Sequence, residues 1–311
     1  MNSVSKIYTS ANHKVENELS VLLGSIHRMK VPFELWVIDA GLSKQFKDKV
    51  KKWQVKKTVQ VNYVFQDQSF YQGCYPARGR GCWLKLAGPR LLGEETQQLV
   101  YLDVDYILQS NLSELQTVDL NSNCFGACQA YQSNSSENEF WIEVDDDSRQ
   151  RKLGGEKRFK PFNSGLMVID VQKWLTEDVE NRVMEVSRKN SHFFHGDQCI
   201  LNALYGHQYK TLDPLYNIHP EVVYRENIDI EKVKGFHLMG FRPWNVPQHK
   251  DHICWYAFPL KWKIFKVLLN AIGSGPNHRI YFGIILHQKI AMKILFKGFV
   301  GKGLRKFMGR A

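Results

Sequence analysis

The 311-residue chain is short of long hydrophobic runs. The longest unbroken apolar stretch in its C-terminal part, Ile280–Leu286, contains Gly283 and falls far short of the roughly 20 residues needed to span a bilayer. Met1–Lys6 has no charged leader, apolar core or small-residue cleavage site, so a cytoplasmic location is expected. The six cysteines (74, 82, 124, 128, 199 and 254) form no paired Cys-x-x-Cys arrangement, and no histidine cluster lies near Cys124 and Cys128. That excludes zinc from the expectations and fits a reducing compartment. Internal repeats and low-complexity segments are lacking too. Acid is absent from Pro259 to Ala311, where there are eleven Lys/Arg and no Asp or Glu. The remaining 31 basic residues are matched by 31 acidic ones. This shift sets an expected boundary between a neutral body, 1–258, and a basic tail, 259–311. No aromatic-basic platform stands out in the body, so no nucleic-acid partner is expected.

Along the body, strands alternate with helix-compatible segments, the pattern of βαβ units and a mostly parallel sheet. Strands are predicted at Ser5–Ser10, Phe33–Ile38, Gln60–Phe65, Leu99–Leu102 and Leu166–Asp170. Helices are predicted at Asn17–Met29, at Ser43–Trp53 with Ser43 as N-cap, and at Gln198–Tyr205. Gln66–Gly81 reads as a loop, and Trp83–Leu92 as a helix made irregular by Pro89.

Four clusters look chemical. Tyr101-Leu102-Asp103-Val104-Asp105 delivers two carboxylates at the end of an apolar strand, where α/β sheets bind ligands and where hard oxygen donors suit Mg²⁺ or Mn²⁺. Phe162-Asn163-Ser164-Gly165 fits either a positive-φ turn or an amide facing a sugar hydroxyl. Asp197-Gln198 fits either a helix cap or a polar pair aimed at a ligand. His237, in Phe236-His237-Leu238-Met239-Gly240-Phe241-Arg242-Pro243-Trp244, is either a satisfied structural histidine or a third metal ligand. In the tail, Lys289, Lys293 and Lys297 recur beside apolar residues, and Pro259–Asn270 interleaves lysines with aromatics. Such a segment either lies in an anionic membrane interface or packs its apolar face on the body.

The order and spacing of four motifs, Val37-Ile38-Asp39-Ala40-Gly41-Leu42-Ser43, Tyr101-Leu102-Asp103-Val104-Asp105, Asn163 through Trp174 and His237 through Trp244, resemble glycosyltransferase family 8 from Lys6 to Trp244. The resemblance implies a GT-A (nucleotide-diphospho-sugar transferase) fold, a divalent cation, a UDP-sugar donor, a glycan or glycolipid acceptor and retention of anomeric configuration. It implies that Asp103, Asp105 and His237 hold the metal, with Val104 between the carboxylates. Ser10 and Asn12 would lie near uracil, Lys85 or Arg90 would be the basic residue before the aspartates, and Gly240 and Arg242 would clasp the diphosphate. Asn163, Ser164, Asp197 and Gln198 would face the sugar, with Asp197 and Gln198 well away from the metal and as candidates for the chemistry. The chain departs from the family pattern at Asn12, commonly Asp, at Cys199, often Asp, and at Arg242 in a shortened closing motif. A nucleotide-sugar-binding protein without catalysis and a basic membrane-binding scaffold are the competing readings.

Overall fold

The structure is a computed structural model that describes residues 6–55, 57–74, 80–93, 96–130, 143–144, 150–151, 161–189, 196–239 and 259–277. The body begins with β1 (Lys6–Ala11), α1 (Glu16–Arg28), β2 (Phe33–Asp39), α2 (Lys44–Gln54) and β3 (Val59–Phe65). Ser43 caps α2 as its sequence position predicts, its Oγ accepting from the Phe46 N–H at 3.1 Å. The predicted helix over 83–92 is instead a 3-10 run, Arg80–Ala87, followed by a short α3 (Gly88–Leu92) with Pro89 in its first turn. Then follow β4 (Gln98–Leu102), β5 (Tyr106–Leu108), β6 (Phe125–Gln129), the short pair β7 (Glu143–Val144) and β8 (Gln150–Arg151), and β9 (Phe162–Asp170). Helices α4 (Val171–Thr176), α5 (Val179–Lys189) and α6 (Asp197–Tyr205) precede β10 (Lys210–Leu212), α7 (Pro220–Arg225), β11 (Gly235–His237) and α8 (Pro259–Ser274).

Seven strands form one sheet in the order β10-β6-β9-β4-β1-β2-β3. The β1–β2, β2–β3, β1–β4 and β6–β10 pairs are parallel, while β9 runs antiparallel to both β4 and β6. Successive β4 side chains enter opposite core layers. Leu99 and Tyr101 join Tyr8, Trp83 and Trp174, whereas Val100 and Leu102 join Leu22, Leu35 and Val168. A strand covered on both faces needs an unbroken apolar run, and that is what its sequence supplies. Because β9 is reversed, its N-terminal residues Phe162–Gly165 lie at the same sheet edge as the C-terminal ends of β1, β2 and β4. That edge is where the sequence puts its chemistry.

The helix after the composition boundary belongs to the packing of the body. Ile264, Leu268, Ala271 and Ile272 of α8 are buried with Val21 of α1, Ile107, Val222 and Phe236, while Lys263 and Lys266 stay exposed. The α1–α8 crossing is close enough that a Cβ on Gly24 would sit 1.9 Å from the Ala271 carbonyl oxygen. Polar contacts pin the far end, where Trp53 Nε1 donates to Ser274 O at 2.9 Å and Asn277 N to Ser20 Oγ at 2.8 Å. From Ile264 to Ile272 the apolar face is therefore used against the body. Among the described residues no helix is long and apolar enough to cross a membrane.

Candidate active site

Asp103 and Asp105 leave β4 in a turn closed by the Tyr106 N–H, which donates to Asp103 O at 3.1 Å. That turn leads into β5, which pairs antiparallel with β11 so that Tyr106 stands opposite His237. The small sheet thus carries a histidine from the far end of the body to the two carboxylates. His237 Nε2 is 3.4 Å from Asp103 Oδ2 and 3.3 Å from Asp105 Oδ1. One ligand atom from each of the three residues lies within 4.8 Å of the others. Burial alone would depress the imidazole, but the facing carboxylates of Asp105 and Asp103 override it and hold its pKa up to about 9. Two carboxylate oxygens and one imidazole nitrogen are a donor set for a hard or borderline divalent cation. A cation would replace the proton this cluster otherwise keeps.

The far side of the His237 ring is equally determined. Nδ1 is 3.0 Å from Asn163 Oδ1, and the ring edge lies over Gly165, where a Cβ would be 2.1 Å from His237 Cε1. Gly165 is thus needed for clearance. It sits inside β9 without positive φ, so the turn reading of Asn163–Gly165 is corrected. The β6–β9 register shifts between Ala127 and Cys128, whose partners are Met167 and Asn163, so Ser164, Gly165 and Leu166 have no partner in β6. The bulge frees the Ser164 N–H, which donates to Gln198 Oε1 at 3.1 Å, while on the other side of β9 the Gly165 carbonyl continues the β4 pairing by accepting from Asp103 N at 2.8 Å.

Behind this lies Lys85, almost completely buried at 3 % exposure. Its Nζ is 3.2 Å from Asp103 Oδ1 and 2.9 Å from Asp197 Oδ2. It also donates to the Ser164 carbonyl at 3.2 Å and the Ser164 hydroxyl at 3.1 Å. The 3-10 run that carries it is held by Tyr8, whose hydroxyl donates to Lys85 O at 2.8 Å. Burial opposes the charge on Lys85, yet Asp103 and Asp197 hold its pKa well above the ordinary value. Burial likewise opposes ionisation of Asp103, but Lys85 and His237 hold it well below the usual carboxylate range. Asp197 goes the other way: burial raises it, and Asp103 adds to that, in spite of Lys85.

Two sequence expectations are revised by this network. Asp197 is no helix cap, since Gly196 occupies the cap position of α6 and the carboxylate turns inward to Lys85 and to Ser164 Oγ, 3.2 Å away. Nor does Asp197 stand well away from the metal end, because one ammonium group touches both carboxylates. Of the two basic candidates, Lys85 is the one at the site. Arg90 instead pairs with Glu180 at 2.9 Å and donates to Gln66 at 3.1 Å. Ser10 and Asn12 lie at the end of β1. Ser10 Oγ donates to Gly81 O at 3.4 Å, and Asn12 Oδ1 accepts from Lys14 N at 3.0 Å. Val104, half-buried, sits in the turn between the two carboxylates. Gly240 and Arg242 lie outside the described residues.

The sequence reading missed Asn217 and His219. Asn217 Nδ2 donates to Asn163 Oδ1 at 2.9 Å. His219 accepts from Glu221 N through Nδ1 at 3.2 Å and donates from Nε2 to Leu238 O at 3.1 Å. Its pKa is lowered to about 4, first by burial and then by His237. Neither residue sits in a motif; the only local signal is a polar pair between Asp213-Pro214 and Pro220.

Residues 3–246 match the family model of Glycosyl transferase family 8. The chain belongs to that family. Among its relatives, General stress protein A of Bacillus subtilis is 23 % identical over 268 residues, covering 78 % of this chain and 85 % of that protein. Glycosyltransferase GlyF of Streptococcus pneumoniae is 30 % identical over 124 residues, 40 % of this chain and 26 % of its own length. The crystal structure of galactosyltransferase LgtC, in complex with donor and acceptor sugar analogs, superimposes with a TM-score of 0.63 at 19 % identity, covering 85 % of this chain and 95 % of LgtC. The bifunctional glycosyltransferase WbbM gives 0.63 at 18 % identity, over 86 % and 52 % of the two chains. The mostly parallel sheet flanked by helices is accordingly a GT-A fold, as the family resemblance implied.

One consequence of the geometry is directly measurable. Gly165→Ala puts a methyl group where the His237 ring must lie, and should weaken divalent-cation binding at least tenfold. Calorimetry with Mn²⁺ reads this, and wild-type affinity in the variant would show that His237 is no ligand.

Proposed function

We propose that this family 8 glycosyltransferase moves a hexose, glucose or galactose, from a UDP-sugar to a glycan or glycolipid acceptor with retention of configuration. The observation that carries this reading is the convergence of Asp103, Asp105 and His237 at the sheet edge, joined through Lys85 to Ser164, Asp197 and Gln198. Asp103, Asp105 and His237 would hold Mn²⁺ or Mg²⁺, and Ser10 and Asn12 would meet the base. Asn163 and Ser164, with Asp197 and Gln198, would border the sugar, and Gly240 and Arg242 would close on the diphosphate. When bound, the cation offsets the negative charge that grows on the diphosphate as the anomeric C–O bond breaks. Lys85 adds a fixed positive charge beside Asp103, in place before the reaction starts.

The surroundings of Asp197 favour front-face attack over a covalent intermediate. A carboxylate 3 % exposed and shared between Lys85 and Ser164 Oγ is a poor nucleophile. The acceptor hydroxyl then bonds to an oxocarbenium-like anomeric carbon on the face the phosphate leaves, and its proton passes to a phosphate oxygen of the departing UDP.

The membrane proposal now applies to residues 278–311 alone, which hold eight of the eleven basic residues of the tail and no acidic ones. Each lysine or arginine near an anionic surface contributes about 1 kcal/mol, screened by salt.

Two measurements test these readings. Asp103→Asn and Asp105→Asn should each abolish Mn²⁺-dependent release of UDP from UDP-glucose or UDP-galactose, with UDP affinity falling and the fold kept; unchanged Mn²⁺-dependent UDP affinity in both would sink the metal assignment. Full-length protein should float with anionic vesicles while a chain ending at residue 277 stays in the pellet fraction, and equal flotation of the two would end the tail proposal.

A further inference from the structure

We infer that Asn217 is a positioning residue for His237, acting through the side-chain amide of Asn163 to fix which imidazole nitrogen is offered to a cation. The inference rests on the metal reading of Asp103, Asp105 and His237. Three donors converge on Asn163 Oδ1: the Gly165 N–H at 2.9 Å, Asn217 Nδ2 at 2.9 Å and His237 Nδ1 at 3.0 Å. A backbone N–H can only donate, so the atom facing Gly165 has to be the amide oxygen, and the Asn163 side chain cannot be turned round. An amide oxygen can only accept. The proton of a neutral His237 therefore sits on Nδ1, and Nε2 presents its lone pair to the space between Asp103 and Asp105.

The Gly165 N–H decides which atom of the Asn163 amide faces His237, but Asn163 has little else of its own to hold that amide in place. Its own Nδ2 meets the thioether of Met239 at 3.3 Å, a weak acceptor. Asn217 supplies the second fixed donor, from a buried position on a segment stitched to the histidine's own strand. The Asn217 N–H donates to Pro214 O at 3.1 Å, the Ile218 N–H to Gly235 O at 3.2 Å, and the His237 N–H to Ile218 O at 3.0 Å. These backbone bonds set the spacing between Asn217 and His237, with the Asn163 amide held between them. The Oδ1 of Asn217 is buried and has no hydrogen-bond partner among the described residues. Its amide contributes here as a donor, and replacing it strands no other group, since Asn163 Oδ1 keeps two donors.

The residue's role separates cleanly from space filling. Asn217→Leu keeps the branched outline and the number of side-chain heavy atoms, though bulkier, and removes the donor, while Asn217→Ala removes both outline and donor. Both variants should fold with thermal midpoints close to wild type and bind Mn²⁺, titrated alone, about tenfold more weakly, the lower end of the loss typical when the partner of a metal-ligating histidine is removed. Nitrogen-15 NMR of histidine-labelled wild-type protein loaded with Mg²⁺ should show His237 with Nδ1 protonated and Nε2 not. Leucine-variant affinity equal to wild type, or a wild-type His237 protonated on Nε2, would overturn the inference. The NMR reading needs no variant, so it can overturn the inference even if both substitutions unfold the protein. Wild-type protein that binds no Mn²⁺ at all would instead remove the metal reading on which the inference stands.

Discussion

A single buried ammonium group organises this site. Lys85 is surrounded by the carboxylates of Asp103 and Asp197 and by both oxygens of Ser164, with the Tyr101 ring 4.9 Å from its charge. Ion networks of this kind add little net stability, because desolvation of each charge consumes most of the attraction. Removing one member is costly, because the partners stay buried and uncompensated. The lysine thereby ties the proposed cation end of the site to the proposed sugar end, and neither carboxylate can be repositioned without the other feeling it. It also explains why two aspartates in one site are pushed in opposite directions. Asp103 faces two cationic partners and stays ionised, whereas Asp197 shares one and lies deeper.

The network can form only because β9 runs against its neighbours. Reversal brings the start of that strand, Asn163–Gly165, to the edge where the parallel strands end. The bulge then frees the backbone groups of Ser164 for Lys85 and Gln198. Gly165 completes the arrangement by leaving room for an imidazole where any side chain would collide. Strand direction, bulge and glycine act together. Each is a backbone feature that serves side chains from four other elements.

Much of this could be read from the residues themselves. The unbroken apolar run Leu99–Leu102 announced a strand covered on both faces, and the alternation of strands and helices announced the sheet. Asp103, Asp105 and His237 were legible as a set because four motifs stood in family order, although 130 or so residues separate the histidine from the aspartates. What stayed hidden was what chain direction and depth decide. Asn-Ser-Gly carries the composition of a turn, and only pairing with β4 and β6 makes it a bulged strand. Asp197 at the start of a helix looks like a cap until its carboxylate is seen turned inward. Asn217 had no motif to announce it. In the tail, the same amphipathic pattern serves a membrane interface or a protein core equally well. The small residues Gly24 and Ala271, far apart in the chain, decide for the core from Ile264 to Ile272.

The most direct test of the account is the unfolding free energy of Lys85→Met, Asp197→Asn and the double variant, measured by urea denaturation without metal. Losing the ammonium alone should cost about 3–5 kcal/mol, the usual penalty for orphaning buried charges. Adding Asp197→Asn should then restore stability by more than about 1 kcal/mol, because one stranded carboxylate disappears with it. A double variant that loses the full sum of the two single effects would contradict the account, since Lys85 and Asp197 would then be independent residues rather than two members of one network.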